Sequence, residues 1–583
     1  MKFSQVAATF AKLEAESSRI TMMHELGKLL AASDTESIRP IVYMAMGTIN
    51  PPYLPTQIGL AGKSVAKVIA ELLAVDLAEV ARWEKQYGDL GTVVLQHYHH
   101  TGSSALSVIT VYDTLVAIAQ TQGVGAQEKK QELLQQLLAK VSAEQACYII
   151  RIIVGKLRLG FSAMTLIDAL SWMLVGDKKA RAVIENAYNL CADLGYIAFI
   201  AKRAGIAALE QVHIEVGIPI RLAAAERLPT AAAIMEKLGA AVAEPKVDGF
   251  RLQIHADLTK KDPVIRFFSR NLVDMSASFP DLVDAIAQLP VKTIIFEGEA
   301  IAYNPSTGEF VPFQETVRRK RKHDIADVAT QLPLKVFAFD LLYLNGKLLL
   351  EESLVVRREQ LKKVLAHHTE RSTITAIQEI AVHDVATLER YFYECLEHGL
   401  EGVMVKRPDS PYQAGHRNFN WIKLKRQEHG HLEDTIDCVI LGYYTGQGKR
   451  TGFGIGAFLV GVYNDKIDAL QTIAKIGTGL TDEQWRELKS KLDAYAVAHK
   501  PALVQCDPAL VPDGWVSPQI VVMVRADEIT RSPIHTAGKT AHELGYALRF
   551  PRFMGYRPDK SMNDCTTVDE IKHLAKDQKV LRS

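Results

Sequence analysis

Residues 244–251 read Glu-Pro-Lys-Val-Asp-Gly-Phe-Arg, and they place one lysine, Lys246, among charged residues in an otherwise apolar stretch. Desolvation and neighbouring cations lower the pKa of a lysine, and an unprotonated amine can attack phosphorus or a carbonyl carbon. Gly249 lets the backbone approach a ligand closely, and Arg251 can fork onto a phosphate or sugar oxygen. The segment predicts a nucleophilic lysine in a phosphate-binding site; the alternative is a surface turn with a solvated lysine.

Two further segments place carboxylates at the edges of apolar runs, Glu297-Gly298-Glu299 and Glu401-Gly402-Val403-Met404-Val405-Lys406. A charge in such a setting is costly unless it is paired or bound to a metal ion. Carboxylates suit Mg²⁺, which takes one or two protein ligands beside substrate phosphates. In Trp421-Ile422-Lys423-Leu424-Lys425 both lysines fall on one side of a strand, which predicts anion binding. A solvated edge strand is the alternative there.

The organisation of the 583-residue chain changes twice. Helical spacing of apolar residues, as in Phe3, Val6, Phe10 and Leu13, extends to about residue 221. Short β-rich runs follow, and after residue 428 strand-like runs alternate with glycine-rich turns. We therefore predict an all-α domain over 1–221, an α+β domain over 222–427 and a small β-barrel over 428–583. The barrel has a helical insert at 482–499 and a polar C-terminal tail.

Composition bounds the function without assigning it. Lys and Arg number 68 and Asp and Glu 67, so the net charge of +1 gives no overall attraction to nucleic acid, and any phosphate-binding surface must be local. The six cysteines form no C-x-x-C pair, which argues against a zinc site and favours reduced thiols. The N-terminus lacks the apolar core of a secretion signal, and no run reaches about 18 apolar residues. We expect a soluble, intracellular protein without a membrane partner.

One glycine-rich segment and one basic segment resemble known motifs, a P-loop and a nuclear import signal, but neither match is convincing. Residues 446–452, Gly-Gln-Gly-Lys-Arg-Thr-Gly, do not match the P-loop spacing and predict a hairpin turn. Residues 318–322, Arg-Arg-Lys-Arg-Lys, lie inside the mixed domain, so we expect a solvated or DNA-facing loop rather than a nuclear import signal.

Taken in order along the chain, the motifs resemble those of the covalent nucleotidyltransferase superfamily, and within it those of the ATP-dependent DNA ligases of the archaeal or replicative-like type. The resemblance spans nearly the whole chain. It rests on the K-x-D-G-x-R signature (Lys246, Asp248, Gly249, Arg251), Phe268-Ser269-Arg270-Asn271, Glu299, Phe339, Glu401, Arg417, Lys423, Lys425, the segment 548–553, and Arg557-x-Asp559-Lys560.

The resemblance implies a helical DNA-binding domain over 1–221, an adenylation domain over 222–427 and an OB-fold domain over 428–583. It implies ATP as the substrate and Mg²⁺ as the metal, with Mn²⁺ as an alternative. By the same resemblance Lys246 and Lys560 are catalytic, and Glu299 and Glu401 serve the metal. The residues implied to bind ATP are Glu244, Arg251, Arg270, Glu299, Phe339, Arg417, Lys423 and Lys425.

The implied reaction seals 5′-phosphate/3′-hydroxyl nicks in duplex DNA through a lysyl-AMP and a DNA-adenylate, in replication, repair and recombination. The implied partners are nicked DNA, ATP and a sliding clamp, for a monomer in the cytoplasm near the nucleoid. An RNA ligase of the same superfamily and a catalytically silent nucleic-acid clamp are the alternatives. An NAD-dependent ligase would carry a four-cysteine zinc module, which is absent from the sequence. One departure is Met523, which stands where many relatives have glutamate.

Overall fold

The structure is a computed structural model that describes residues 1–54, 56–100, 105–157, 159–304, 310–311, 316, 319, 329–367, 372–398, 400–425 and 435–580. The chain packs as two compact units. One comprises Met1–Leu77 with Val94–Lys425, and the other comprises Ala78–Val93 with Arg426–Ser583. Among the described residues, no helix combines the length and the apolar character needed to cross a membrane.

The first part of the chain is helical, as its apolar spacing predicts. In α1 the residues Phe3, Val6, Phe10 and Leu13 are fully buried on one face. Side-chain caps start several helices; Ser18 accepts from the backbone N–H of Thr21, for example. Helices α1 to α12 cover Phe3–Ala15, Arg19–Ala32, Thr35–Ala45, Gly62–Leu73, Leu77–Tyr87, Leu90–His97, Val108–Gln120, Ala126–Leu138, Ala143–Ile153, Ala163–Val175, Arg181–Leu190 and Leu194–Leu209.

Two antiparallel-rich sheets follow. Strands β1 to β11 are Ala224–Arg227, Ala241–Pro245, Phe250–Asp257, Val264–Ser269, Thr293–Ala302, Leu334–Leu344, Lys347–Leu348, Ile374–Ala376, Ile380–Val382, Gly402–Lys406 and Arg417–Lys425. One sheet has the order β1-β11-β10-β2-β9, and the other has the order β4-β3-β5-β6-β7 with β8 on β6. Helices α13 to α16 are Ala231–Leu238, Pro280–Ala287, Leu354–Val364 and Val385–Glu397.

The last part is β-rich, with a curled half-barrel sheet. Strands β12 to β21 are Ile436–Tyr444, Ala457–Asn464, Ala469–Ile476, Ala496–Val497, Val504–Gln505, Gly514–Val516, Val521–Arg525, Glu528–Ser532, Gly545–Arg549 and Arg552–Tyr556. The sheet order is β15-β17-β12-β13-β14-β16, with β18 joining β12 to β21, and β19 pairs with β20. Helices α17 and α18 are Asp482–Ala494 and Val568–Val580. Trp485 of α17 is buried against Phe458 of β13.

The predicted fold class is confirmed: a helical region, an α+β region and a β-rich C-terminal region follow one another along the chain. Residues 446–452, predicted as a hairpin turn, lie in the longer connection between the antiparallel strands β12 and β13, where Gly448–Phe453 form a 3-10 helix. The last part of the C-terminal tail, which was predicted only as polar, forms the helix α18, with Val568 and Ile571 buried one helical turn apart. The basic segment 318–322 lies outside the described residues except for Arg319, which pairs with Asp281.

Candidate active site

A cavity of about 610 Å³ lies between the two sheets of the first unit. The strand register explains which side chains line it. In the antiparallel trio β2, β10 and β11, Met404 stands opposite both Glu244 and Lys423, and Lys406 stands opposite Trp421. Alternate residues of a strand share a face. The even-numbered side chains of β2 and β10, such as Glu244 and Met404, therefore share a face with the odd-numbered side chains of β11, such as Lys423. That face lines the cavity.

Lys246 follows β2 and is held by two backbone hydrogen bonds. Its N–H donates to the carbonyl of Gly402 at 2.9 Å, and its carbonyl accepts from the N–H of Glu401 at 3.1 Å. These bonds set the two side chains against each other, so the Glu401 carboxylate pairs with the Lys246 ammonium. The same carboxylate lies 2.8 Å from Nζ of Lys425. Burial opposes its ionisation, but Lys246 and Lys425 together lower the pKa of Glu401 to about 2.

Glu299 lies on β5 and differs from Glu401 in its electrostatics. Burial raises the pKa of its carboxyl to about 7, although Lys246 and Arg251 favour the ionised form. Within the described part of the chain its carboxylate makes no ion pair. The cavity therefore offers one carboxylate engaged by two lysines and one that is open to a ligand.

Arg251 is fixed by groups behind the cavity wall. It donates to the carbonyl of Ala223 at 2.7 Å and to the fully buried carboxylate of Glu297 at 2.8 Å. Its guanidinium also lies 5.5 Å from the ring centre of Phe339 and 5.4 Å from that of Trp421. Arg251 thus has a single orientation, imposed by Glu297. Glu297 was not among the predicted site residues, though its spacing of two from Glu299 puts both on one face of a strand.

Gly249 lines the cavity, and the structure shows a packing requirement there in addition to the close approach to a ligand that we predicted. A Cβ atom at this position would collide with the carbonyl oxygen of Ala300 and would lie 3.2 Å from Cγ of Glu299. The glycine therefore permits close packing of β3 against β5, which brings Glu299 next to the Lys246 signature.

Four basic side chains complete the cavity: Arg270, Arg417, Lys423 and Lys425. Burial lowers the pKa of the Lys423 amine, and Lys425, Lys246, Arg417 and Arg270 lower it further. Such a concentration of cations is unfavourable on its own, and an anion such as a polyphosphate relieves the repulsion.

Of the predicted site residues, all but Lys560 line this cavity. Lys560 belongs to the C-terminal unit, where its ammonium lies 2.7 Å from Oδ2 of Asp437. Arg557 lies 2.9 Å from the same oxygen. Met523 is the register partner of Asp437 on β18. Asp437 thus supplies a carboxylate next to Met523, the position at which the resemblance led us to expect glutamate.

Comparison with known proteins gives a consistent result. Three family profiles match: DNA ligase N terminus over residues 2–171, ATP dependent DNA ligase domain over 223–425, and ATP dependent DNA ligase C terminal region over 451–560. The probable DNA ligase of Dictyoglomus thermophilum is 45% identical over 581 residues, covering 99% of this chain and 98% of that protein. The DNA ligase of Pyrobaculum islandicum is 38% identical, covering 99% of each.

A solved structure described as Pmar-Lig_PreS3 has a similar fold, with a TM-score of 0.57 and 17% identity, over 95% of this chain and 99% of that one. The profiles match well over half of the chain, and the two relatives align over nearly all of it. The chain therefore belongs to the ATP-dependent DNA ligase family.

Proposed function

We propose that this protein seals nicks between a 5′-phosphate and a 3′-hydroxyl in duplex DNA, using ATP and a covalent adenylate on Lys246. The observation that carries the proposal is the position of Lys246, whose amine lines a cavity together with Glu401 and a set of converging cations. An amine beside groups that bind phosphate suits attack on a phosphorus atom.

In the first step the Lys246 amine, after losing its proton, attacks the α-phosphate of ATP. An N–P bond forms, the bond to the bridging oxygen breaks, and pyrophosphate leaves with its electron pair. In the second step an oxygen of the 5′-phosphate attacks the phosphorus of AMP, a P–O–P bond forms, and the N–P bond breaks, so that the Lys246 amine leaves and takes up a proton. In the third step the 3′-hydroxyl loses its proton and attacks the 5′-phosphorus, the phosphodiester forms, and the P–O bond to AMP breaks, so that AMP leaves. Arg270, Arg417, Lys423 and Lys425, which line the cavity, would stabilise the negative charge that develops at phosphorus.

The remaining cavity residues would hold the nucleoside. Glu244 and Phe339 contact adenine in this proposal, and Arg251 and Glu299 contact the ribose. Support comes from the orientation of Arg251, which Glu297 and the Ala223 carbonyl fix before any ligand binds. Preorganised groups of this kind lower the cost of ordering the site around the substrate.

Glu299 and Glu401 would hold a divalent cation, Mg²⁺ or Mn²⁺. The residues fit such an ion, because the Glu299 carboxylate lines the cavity without an ion-pair partner among the described residues. Both lysines pair with Oε2 of Glu401, which leaves its Oε1 as the oxygen that could face the ion. No cluster of three or more His, Cys, Asp or Glu ligands occurs in the described ranges. That suits Mg²⁺, which uses one or two carboxylates and completes its shell with water and phosphate oxygens. When bound, the ion would offset charge on the phosphates of ATP.

The proposal extends to the domains and partners. Residues 1–221 would bind the DNA backbone, 222–427 would carry adenylation and 428–583 would form the OB-fold domain that supplies Lys560. The protein would act as a monomer near the nucleoid, together with a sliding clamp. Backbone binding predicts an affinity for nicked DNA that falls steeply with salt and is indifferent to base sequence.

The test is incubation with α-labelled ATP and MgCl₂, followed by denaturing electrophoresis, and then a sealing assay on a nicked duplex. A labelled protein band and a ligated product are expected from the native chain. A chain that binds the nick without becoming labelled would be the silent clamp. Efficient sealing of a nick in RNA, with little activity on the matched DNA nick, would identify an RNA ligase.

A further inference from the structure

We propose that Lys406 is a positioning residue for base recognition, which holds Glu244 so that one carboxylate oxygen stays available to the 6-amino group of adenine. The inference deepens the proposed function and rests on it, since it concerns how the same cavity selects its nucleotide. It begins with the strand register. Lys406 stands opposite Val242, so Glu244 is its diagonal neighbour on the cavity face, within reach of a long side chain.

The two side chains form a buried ion pair. Nζ of Lys406 lies 2.7 Å from Oε2 of Glu244, and the two side chains are 1% and 2% exposed. The ammonium also lies 4.7 Å from the ring centre of Phe339 and 4.4 Å from that of Trp421. Burial lowers the pKa of the Lys406 amine, while the Glu244 carboxylate opposes that shift. Glu244 thus supplies the counter-charge for the buried Lys406 ammonium.

The second oxygen of Glu244, Oε1, is buried and accepts no hydrogen bond among the described residues. Arg358 lies nearest, with its Nε 3.9 Å away, but its donors are directed elsewhere. They reach the Glu379 carboxylate at 3.1 Å and the carbonyls of Ala338 and Ile377 at 3.0 and 2.7 Å. A buried acceptor without a donor is costly, so Oε1 favours a ligand that brings an N–H group. The 6-amino group of adenine is such a donor.

The competing role for Lys406 is purely structural, as the counter-ion that makes a buried Glu244 tolerable. The two roles differ in one measurable ratio. If Lys406 positions Glu244, its loss weakens the use of ATP more than the use of purine riboside triphosphate, which has hydrogen in place of the amino group. If Lys406 serves only stability, its loss lowers the use of both nucleotides by the same factor.

The experiment measures kcat and KM for formation of the lysyl-nucleotide from each of the two nucleotides. The native chain is expected to prefer ATP about ten- to a hundredfold, the range of a hydrogen bond to a charged group. Lys406→Met should reduce that preference to within about threefold, mainly through KM for ATP. Lys406→Arg keeps a cation beside Glu244 and should retain most of the preference for ATP. Arg407→Met makes the same change of charge at the residue that follows β10 and should leave the preference unchanged.

Several results would overturn the inference: an unchanged preference in Lys406→Met, a native chain that does not distinguish the two nucleotides, or an equal loss in Arg407→Met. If Lys406→Met does not fold, as thermal melting will show, Lys406→Arg decides, because a preference lost with the charge retained contradicts the proposal. The proposed function fails separately, when the native chain forms no adenylate on Lys246 at all.

Discussion

The backbone N–H of Glu401 donates to the carbonyl of Lys246 at 3.1 Å, and the side chains of the two residues form an ion pair. Lys246, the proposed nucleophile, and Glu401 are therefore fixed to each other by main-chain bonds where β2 ends and β10 begins, whatever the side chains do. A substitution of Lys246 removes the amine without disturbing the hydrogen bonds that hold the segment.

We expect Lys246→Ala to abolish adenylate formation while it leaves the melting temperature and nick binding nearly unchanged. Among the residues that the structure describes, no other amine occupies the position that the Gly402 and Glu401 bonds give to Lys246. The measurement is labelling with α-labelled ATP, with Lys362→Ala as a control on a half-exposed lysine that pairs with Glu379. Residual labelling of the Lys246→Ala protein above a few per cent would mean that the nucleophile is another residue.

A second prediction concerns stability next to the cavity. Arg357 and Asp340 are both fully buried, and the guanidinium binds the carboxylate with two hydrogen bonds of 2.7 and 3.0 Å. Arg357→Ala leaves a buried, unpaired carboxylate, so the free energy of unfolding should fall by about 3–5 kcal/mol. Urea unfolding measures this. Lys347→Ala breaks the exposed pair with Glu352 and should cost less than about 1 kcal/mol. Similar losses in both variants would contradict the argument.

Local patterns predicted the cavity face well, because they depend on the two-residue period of a strand. Lys423 and Lys425, for example, alternate with apolar residues, and the structure places both on the cavity face. The ion-pair partners of other cavity residues could not be predicted from such local patterns. The pairing of Lys406 with Glu244 depends on the register of β10 against β2, and that of Arg251 with Glu297 depends on β3 against β5. The register of two strands depends on segments that are far apart in the sequence, so no short motif in a single sequence predicts it.

A third prediction concerns acid stability. His255 is fully buried; its Nδ1 accepts from the N–H of Gly217 at 3.1 Å, and its Nε2 lies 2.9 Å from Oε1 of Gln253. Burial lowers the pKa of His255 to about 3. The unfolded chain binds this proton near pH 6.5 and the folded chain does not, so stability falls as the pH drops from about 6.5 to about 3.

His255→Gln should remove about 1.4 kcal/mol per pH unit from that slope, since glutamine can make both hydrogen bonds without titrating. The measurement is urea unfolding at pH 7 and pH 5. The exposed His398→Gln is the matched control and should keep the native slope. An equal slope in the native chain and in His255→Gln would show that His255 does not titrate on unfolding in this range.

The last prediction concerns Lys560, which Asp437 holds at 2.7 Å together with Arg557 at 2.9 Å. Pyrophosphate must leave on the side opposite the attacking Lys246 amine, so a cation is needed there while ATP is bound and not afterwards. Lys560→Ala should therefore slow adenylate formation by about a hundredfold, within the range for loss of one charge-stabilising group. Sealing of a nick that already carries a 5′-adenylate should stay within about threefold of the native rate, because no pyrophosphate leaves in that step.

Asp437→Asn tests whether the carboxylate aligns this lysine. It keeps the shape of the side chain but weakens its hold on Lys560 and Arg557, so adenylation should slow by about tenfold or less, again with normal sealing of the pre-adenylated nick. In the double variant Lys560→Ala with Asp437→Asn, the second change should add little, since its effect passes through the lysine. Equal loss in both steps for Lys560→Ala would instead indicate that the lysine supports the fold of the C-terminal unit, where Asp437 is its ion-pair partner.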